Sequence, residues 1–439
     1  MTQNAVIQFQ RDNGLVATGI VNGITWYTLL SENGLIPPEP PIEPPKGSEE
    51  NPFLISNAEE LHNVRNNLSA HYKVTKDIDL TQYLSPGNPG YNNGEGWQPI
   101  GTWFPNFSGS VDGDGHKITG LWINRDNIEF VGLFGRIDNG TVKNLGVEIA
   151  NTGIIGANTV GGLTGNIGSG TIKNCYTTGN VSGRSMVGGL AGYSGGSENR
   201  IVNIENCYTT GNITAANNVG GLVGFSANSG TIEGCYSTGN ISSESFIAGG
   251  LVGSNSYDKI KNCYATGNVS SREMVGGLVG IIGHYGACEV ENCYATGKSS
   301  GAFSVGGLIG NNNNSIIKNS FFDKETTGQV NGVGRGPNNG VSGKTTQELK
   351  MKSTFTEAGW DFENIWGINA NRNNGYPYLQ ELRPELETFT YTVQGDTLEI
   401  LAAKFGTTVE KIKRLNNLTT LTLYVGQELL IPGSNGLSV

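Results

Sequence analysis

Between residues 160 and 310, apolar and glycine positions return as one short phrase. Its first half, V-G-G-L-x-G, stands at residues 160–165, 187–192, 219–224, 275–280 and 305–310, with A-G-G-L-V-G at 248–253. Its second half, I-x-N-C-Y-x-T-G, places Cys175, Cys207, Cys235, Cys263 and Cys293 at spacings of 32, 28, 28 and 30 residues. That period belongs to stacked solenoids and is too irregular for a coiled coil.

Each repeat supplies three short runs, such as residues 221–225, 231–238 and 240–242, parted by Gly, Asn and Ser at corners. One rung cannot bury an apolar face by itself. Rungs stacked about 4.8 Å apart can, because their backbones pair and like side chains align. In this arrangement Ile172 and Cys175 point inward, Asn174 sits at a corner where amides bond from rung to rung, and Tyr176 points outward. Glycines in the phrase allow a positive φ or a close approach between turns. A parallel stack also needs caps. An amphipathic helix at 58–68 with strands at 72–80 and 97–101 is expected at one end. At the other, residues 345–351 read as helical, and Trp360, Phe362, Trp366 and Tyr378 are expected to plug the last rung.

The C-terminal segment changes period. A β-run at 389–393 leads into Gly395-Asp396-Thr397, a turn that caps a helix bearing Leu398, Leu401, Ala402 and Phe405. Thr408 caps a second helix with Val409, Ile412 and Leu415, and residues 429–431 return as a strand before Pro432. This βααβ segment, 388–432, resembles a LysM domain along essentially its whole length. The resemblance implies a shallow groove for N-acetylglucosamine-containing glycans, peptidoglycan or chitin, formed by Gly395, Asp396, Thr397 and Leu398 on one side and Asn416, Asn417 and Leu418 on the other. Simple helix capping by Asp396 and Thr397, and helix termination by Asn416, explain those three residues equally well.

At the other end, residues 4–30 place Val6, Phe9 and Gln10 on a helix ended by Gly14, and Thr25-Trp26 at the start of another whose Leu29 and Leu30 face inward. The segment resembles the latter part of a three-helix bacterial peptidoglycan-binding domain. On that resemblance Met1 is expected not to be the natural start, with an export signal and the first half-domain upstream. The proline-rich stretch 37–45 is expected to form polyproline II about 28 Å long.

With the glycine-leucine phrase, the strings WQPIG and FSGSVDGDGHKITGL and the closing GWDFENIWGI and GYPYL make residues 51–379 resemble the GLUG-repeat region of bacterial surface proteins. The implied fold class is mainly β, a right-handed parallel β-helix. The partition is a partial peptidoglycan-binding domain (1–34), linker (35–50), N-terminal cap and first turns (51–130), GLUG solenoid (131–322), C-terminal cap (323–382) and LysM domain (388–432).

Composition narrows the function. A net charge of −10 with no Lys/Arg cluster argues against a nucleic-acid partner. No apolar run reaches the roughly 18–20 residues of a membrane span, so no membrane insertion is expected. Five cysteines at one repeat position read as buried thiols in a ladder, with Cys288 outside it. Glycoside hydrolysis needs two convergent carboxylates. Here Glu205, Glu233 and Glu291 share one repeat position with Lys173 and Lys261, as a solvated face would. Asp112-Gly113-Asp114-Gly115-His116 has metal-ligand residue types but lacks the rest of a calcium loop, and His62, His71 and His284 are scattered. No catalytic residue, metal or cofactor is assigned. The row Tyr176, Tyr208, Tyr236, Tyr264 and Tyr294 is a candidate glycan track, against the alternative that the rings stack on one another and cover the rod. These features converge on a noncatalytic, extracellular cell-wall-associated protein. Its partners are peptidoglycan or another GlcNAc-containing polysaccharide and, for the rod, a host or cell-surface protein. The alternatives are a glycan-modifying enzyme and a protein-binding adhesin.

Overall fold

A computed structural model describes residues 2–21, 25, 28–30, 44–195, 200–227, 230–380, 388–405, 409, 412–413, 416, 418 and 420–432. Trp26, Thr408, Leu415 and Asn417 lie outside these residues, as does the proline stretch apart from Pro44 and Pro45. The chain divides into two compact units, Met1–Phe53 and Leu54–Val439.

In the first unit, helix Gln3–Asp12 buries Val6 and Gln10. Gly14 ends it with φ +67°, a left-handed conformation that glycine adopts at little cost. The buried Gln10 amide is a hub: it donates to Thr25 Oγ1 (2.9 Å) and the Ile20 carbonyl (2.8 Å) and accepts from the Gly19 amide (2.9 Å). Leu29 and Leu30 are half-buried rather than fully inward.

The second unit holds a parallel β-solenoid. Its rungs contribute to three sheets, two of which fork from long strands, Thr164–Lys173 and Gly146–Gly156. The three runs expected per repeat resolve into five shorter strands, as in Val219–Gly220, Val223–Ala227, Thr231–Glu233, Tyr236–Ser237 and Ile241–Ser243. The reason is local. Residues 221–222 turn a corner, and Gly234 at φ +62° breaks the run expected over 231–238. In other rungs the same corner is Asn174, Asn206, Asn262 or Asn292, at φ +51° to +52°. Asn and Gly are the residues that tolerate this region.

Register is exact from rung to rung: Ile204 pairs with Ile172 and Ile232, and Tyr208 with Tyr176 and Tyr236. Hence the inward columns each carry one chemistry. Ile172, Ile204, Ile232 and Ile260, the cysteines, and Leu163, Leu190, Leu222, Leu251, Leu278 and Leu308 are buried. Corner amides bond as expected, Asn174 Nδ2 donating to Asn144 Oδ1 at 2.9 Å. A second ladder was not foreseen. In the thrice-repeated step from Asn180 to Asn212, Asn240 and Asn268, each backbone amide donates to the preceding asparagine Oδ1 at 3.1–3.2 Å, and Lys298 N continues it at 3.0 Å. Phrase glycines serve close approach: a Cβ on Gly221 would run into the Gly250 carbonyl of the next rung.

All six cysteines are free and buried. The amides of Cys175, Cys207 and Cys235 each donate to the next rung's sulfur at 3.4 Å. At the N-terminal end the helix is Ala58–Asn63 followed by a 3₁₀ turn, Val64–Asn66, burying Leu61 and Val64. Its N-cap Asn57 accepts from Glu60 N, and Glu60 Oε2 reaches back to accept from Ser56 N.

The C-terminal segment reaches further than the expected plug. It meets the last rung, Trp360 Nε1 donating to Asn319 O at 2.9 Å and the Tyr376 hydroxyl to Asp323 Oδ2 at 2.6 Å. It also lies along the tyrosine flank, where Leu349, Phe355, Trp360, Trp366, Tyr376 and Leu379 form one buried cluster with Phe321 and the ladder rings. Phe362 packs partly against this cluster, while Tyr378 turns its ring to Arg372. The expected helix at 345–351 is a 3₁₀ turn, Glu348–Lys350, with a helix Lys352–Thr356 after it. Stacked phenols would otherwise leave a long apolar strip in water, and burying aromatic area on the flank relieves this over several rungs at once.

Candidate functional site

The C-terminal module is built on an antiparallel pair, Thr388–Thr392 with Glu428–Pro432. Helix Leu398–Lys404 follows, and Val409, Ile412 and Lys413 are helical. Val393, Leu398, Leu401, Ala402, Ile412, Leu429 and Ile431 form its core. Leu398 is thus fully buried, and Leu418 packs against the same core.

The other expected site residues take distinct places. Thr397 caps the helix, its hydroxyl accepting from Ile400 N at 3.4 Å. Asp396 Oδ2 accepts from the Tyr391 hydroxyl at 2.7 Å and the Gln394 amide at 3.3 Å. The Tyr391 bond, with the Gln394 amide and Lys404 nearby, holds the Asp396 carboxyl below the usual range. Gly395 is exposed at φ +102° with open space where a Cβ would be. Asn416 has its amide engaged: Oδ1 accepts from Leu430 N (2.7 Å), and Nδ2 donates to Leu430 O (2.8 Å) and Ile412 O (2.9 Å). It clips the second helix to the strand edge.

Two bonds draw the loops together. Gly426 N donates to Val393 O, and Val393 N donates to Gln427 O, each at 2.8 Å. The 394–396 turn therefore lies beside a turn carrying Tyr424 and Val425, which are 71% and 78% exposed. Sequence reading missed this pair. Large apolar side chains in a turn were its only signal.

The tyrosine row does not offer a track. Tyr208, Tyr236, Tyr264 and Tyr294 are buried, and Tyr176 is partly so. Their rings stack face to face at 4.8–5.1 Å, within 10° of parallel. Trp366 then covers Tyr264 and Tyr294. The phenols do leave the barrel wall, but the C-terminal segment occupies the face a glycan would need.

The repeat-position acids stand in a charge ladder, with Lys173 Nζ 2.7 Å from Glu205 and Lys261 Nζ 2.9 Å from Glu291, while Asn262 donates to Glu233 at 3.1 Å. Residues 112–116 form a tight turn, Asp114 N donating to Asp112 Oδ1 and His116 N to Gly113 O. Asp114 pairs with Lys73, and His116 meets Asp77.

Comparison with known proteins bears on all three parts. Residues 391–432 match the LysM domain, residues 1–29 the "Putative peptidoglycan binding domain", and residues 215–242, 245–270 and 271–300 the GLUG motif. The chain carries GLUG motifs and a C-terminal LysM domain. A "Putative Gly-rich membrane protein" of Evansella cellulosilytica is 38% identical over 427 residues, covering 81% of this chain and 46% of that protein. The LysM region is 53% identical over 47 residues to the N-acetylmuramoyl-L-alanine amidase sle1 of Staphylococcus epidermidis, 10% of this chain and 14% of the amidase. The GLUG-repeat chain thus spans less than half the length of these curated relatives. Its fold is shared with a crystal structure named "putative immunoglobulin A1 protease" from Bacteroides ovatus, with TM-score 0.51 and 24% identity over 77% of this chain and 94% of that one. Among the described residues, no helix is long and apolar enough to cross a membrane. The matched domains are of binding type, and the two at the ends of the chain point to the bacterial cell wall.

Proposed function

We propose that this is a noncatalytic, extracellular protein held to peptidoglycan by its LysM domain, with the β-solenoid serving as a structural or adhesive rod. The match over residues 391–432 carries the reading. It is supported by the side-by-side turns at 394–396 and 424–427, with Gly395, Asp396 and Thr397 on one side and the exposed Tyr424 on the other. Asn416 ties the second helix to the edge strand, and Leu398 and Leu418 pack into the domain core. The peptidoglycan-binding match at residues 1–29 supplies a second contact with the same polymer. Two weak sites on one chain raise avidity by about 10²–10⁴ over either alone when both engage. The solenoid acids share one ladder with lysines and pair with them, which favours a structural role for them over a catalytic one.

Co-sedimentation with purified cell walls tests the reading. The intact chain is expected in the pellet and a chain lacking residues 388–432 largely in the supernatant. Equal pelleting of both would overturn LysM anchoring, and new reducing ends released from muropeptides would overturn the noncatalytic assignment.

A further inference from the structure

Within the solenoid unit, the residue that follows each repeat phrase changes from rung to rung. Along one ladder it reads Arg136, Asn166, Tyr193, Phe225, Ser254, Ile281 and Asn311, paired in register. The first four members line a surface groove of about 910 Å³. Three rung spacings of about 4.8 Å make this stretch about 14 Å long.

The groove combines aromatic faces with polar groups that lack protein partners. Tyr193 and Phe225 stack at 5.5 Å with 25° between their planes. Trp103, 63% exposed, sits against Phe130 at 5.6 Å and beneath the Arg136 guanidinium at 4.0 Å. Asn166 is 1% exposed and Arg136 8%, yet Asn166 Oδ1 and Arg136 Nε have no hydrogen-bond partner in the protein. A buried donor or acceptor left without a partner is costly, so such atoms call for a ligand or water. Charge is largely balanced in place: Asp138 accepts from Arg136 Nη2 (3.3 Å), Arg200 Nη1 (2.6 Å to Oδ1) and Ser169 Oγ (2.7 Å). The rim is held in an unusual backbone state, with Phe130, Thr159 and Met186 at φ +60°, +53° and +51°. For bulky and β-branched residues this region is strained, and strain of that kind persists where surrounding structure holds it.

We infer that this groove is a second carbohydrate site, taking a short pyranose oligosaccharide whose C–H face lies on the exposed Trp103 and along the edges of the stacked Tyr193 and Phe225, with its hydroxyls turned to the groove-lining side chains of Asn166 and Arg136. A pyranose presents a flat apolar face and an edge of groups that both donate and accept, which is the chemistry left open here. An extended peptide is less suited, since strand addition needs an unpaired edge. The floor of this groove is mid-ladder, with its strands already paired on both sides. Nucleic acid is disfavoured by the chain's net charge of −10. The site is independent of the LysM reading.

The test is an array of immobilised oligosaccharides and peptides probed with the full chain, wild type and the variants Trp103→Ala, Phe225→Ala, Asn166→Ala and Tyr424→Ala. At least one oligosaccharide is expected to be retained by wild type and bound about tenfold or more weakly by Trp103→Ala and Asn166→Ala. Trp103 is exposed, so its variant keeps the wild-type thermal midpoint and separates binding from folding if Phe225→Ala unfolds. Absence of any retained oligosaccharide overturns the inference. So does retention that Tyr424→Ala abolishes and the groove variants leave unchanged, which would belong to the LysM domain, and so does retention of peptides alone through the groove residues.

Discussion

The hydroxyl of Tyr294 donates to the carbonyl of Pro377 at 2.6 Å, joining the end of the tyrosine ladder to a segment 83 residues away. Asn373 Nδ2 reaches both partners at 2.6 Å, so the junction is a closed polar triangle inside an aromatic cluster. The flank of the solenoid and the C-terminal segment therefore form one core.

That relationship predicts the effect of removing Trp366, which is fully buried against Tyr264, Tyr294 and Trp360. Trp366→Ala should cost about 3–5 kcal/mol, read by chemical denaturation. The tyrosines it covers should become accessible to quenchers. A loss under about 1 kcal/mol would mean that the segment does not pack on the ladder.

Alkaline pH should dismantle the same flank. Burial pushes the Tyr264 and Tyr294 phenols well above their ordinary value, and burial with the Asp323 carboxylate pushes Tyr376 up to about 12. The folded chain then holds these protons more tightly than the unfolded chain, so stability is full below about pH 10 and falls as pH rises from there through about 12. The thermal midpoint measured against pH checks this. Phenolate absorbance rising fully near pH 10, with near-ultraviolet dichroism unchanged, would contradict it.

Within the barrel, Leu222 is fully buried in the leucine column. Leu222→Ala should cost about 2–5 kcal/mol in equilibrium unfolding, since neighbouring rungs fixed by their own hydrogen bonds cannot collapse into the cavity.

The cysteines should be silent to thiol reagents until the chain unfolds, when all six react. Burial shuts reagents out of all six sites, and at Cys175 it also pushes the thiol up. Serine already replaces cysteine in the last rung, where Ser320 Oγ accepts from Cys293 N at 3.2 Å and donates to Lys318 O at 2.8 Å. Cys207→Ser should consequently keep the fold at a cost of about 1 kcal/mol.

In the LysM domain, two substitutions should separate structure from binding. Asn416→Ala strips partners from the Leu430 amide and carbonyl and should lower the domain's stability by about 1–3 kcal/mol. Tyr424→Ala, on a ring 71% exposed, should leave the thermal midpoint unchanged and weaken wall binding. Unchanged pelleting of Tyr424→Ala would remove that ring from the site.

Much of this architecture could be read from residue order, because a repeat in exact register makes each position's neighbour a copy of itself. Ile172, Cys175 and Asn174 needed no knowledge of distant chain, since their environment is the same phrase one rung away. The βααβ segment was legible for a similar reason, its caps and apolar spacing being local. Two things lay beyond reach. The tyrosines pointed away from the barrel as expected, but residues 349–379 cover them, and nothing in the repeat tells where a nonrepeating tail will land. The groove was hidden likewise: Trp103, Phe130, Asn166 and Phe225 are scattered over more than a hundred residues and meet because stacking turns sequence distance into a few rungs. Local periodicity dictates what lies directly above and below a residue, whereas lateral neighbours depend on how loops and tail pack across the column, a contest of burial energies that no single stretch of chain encodes.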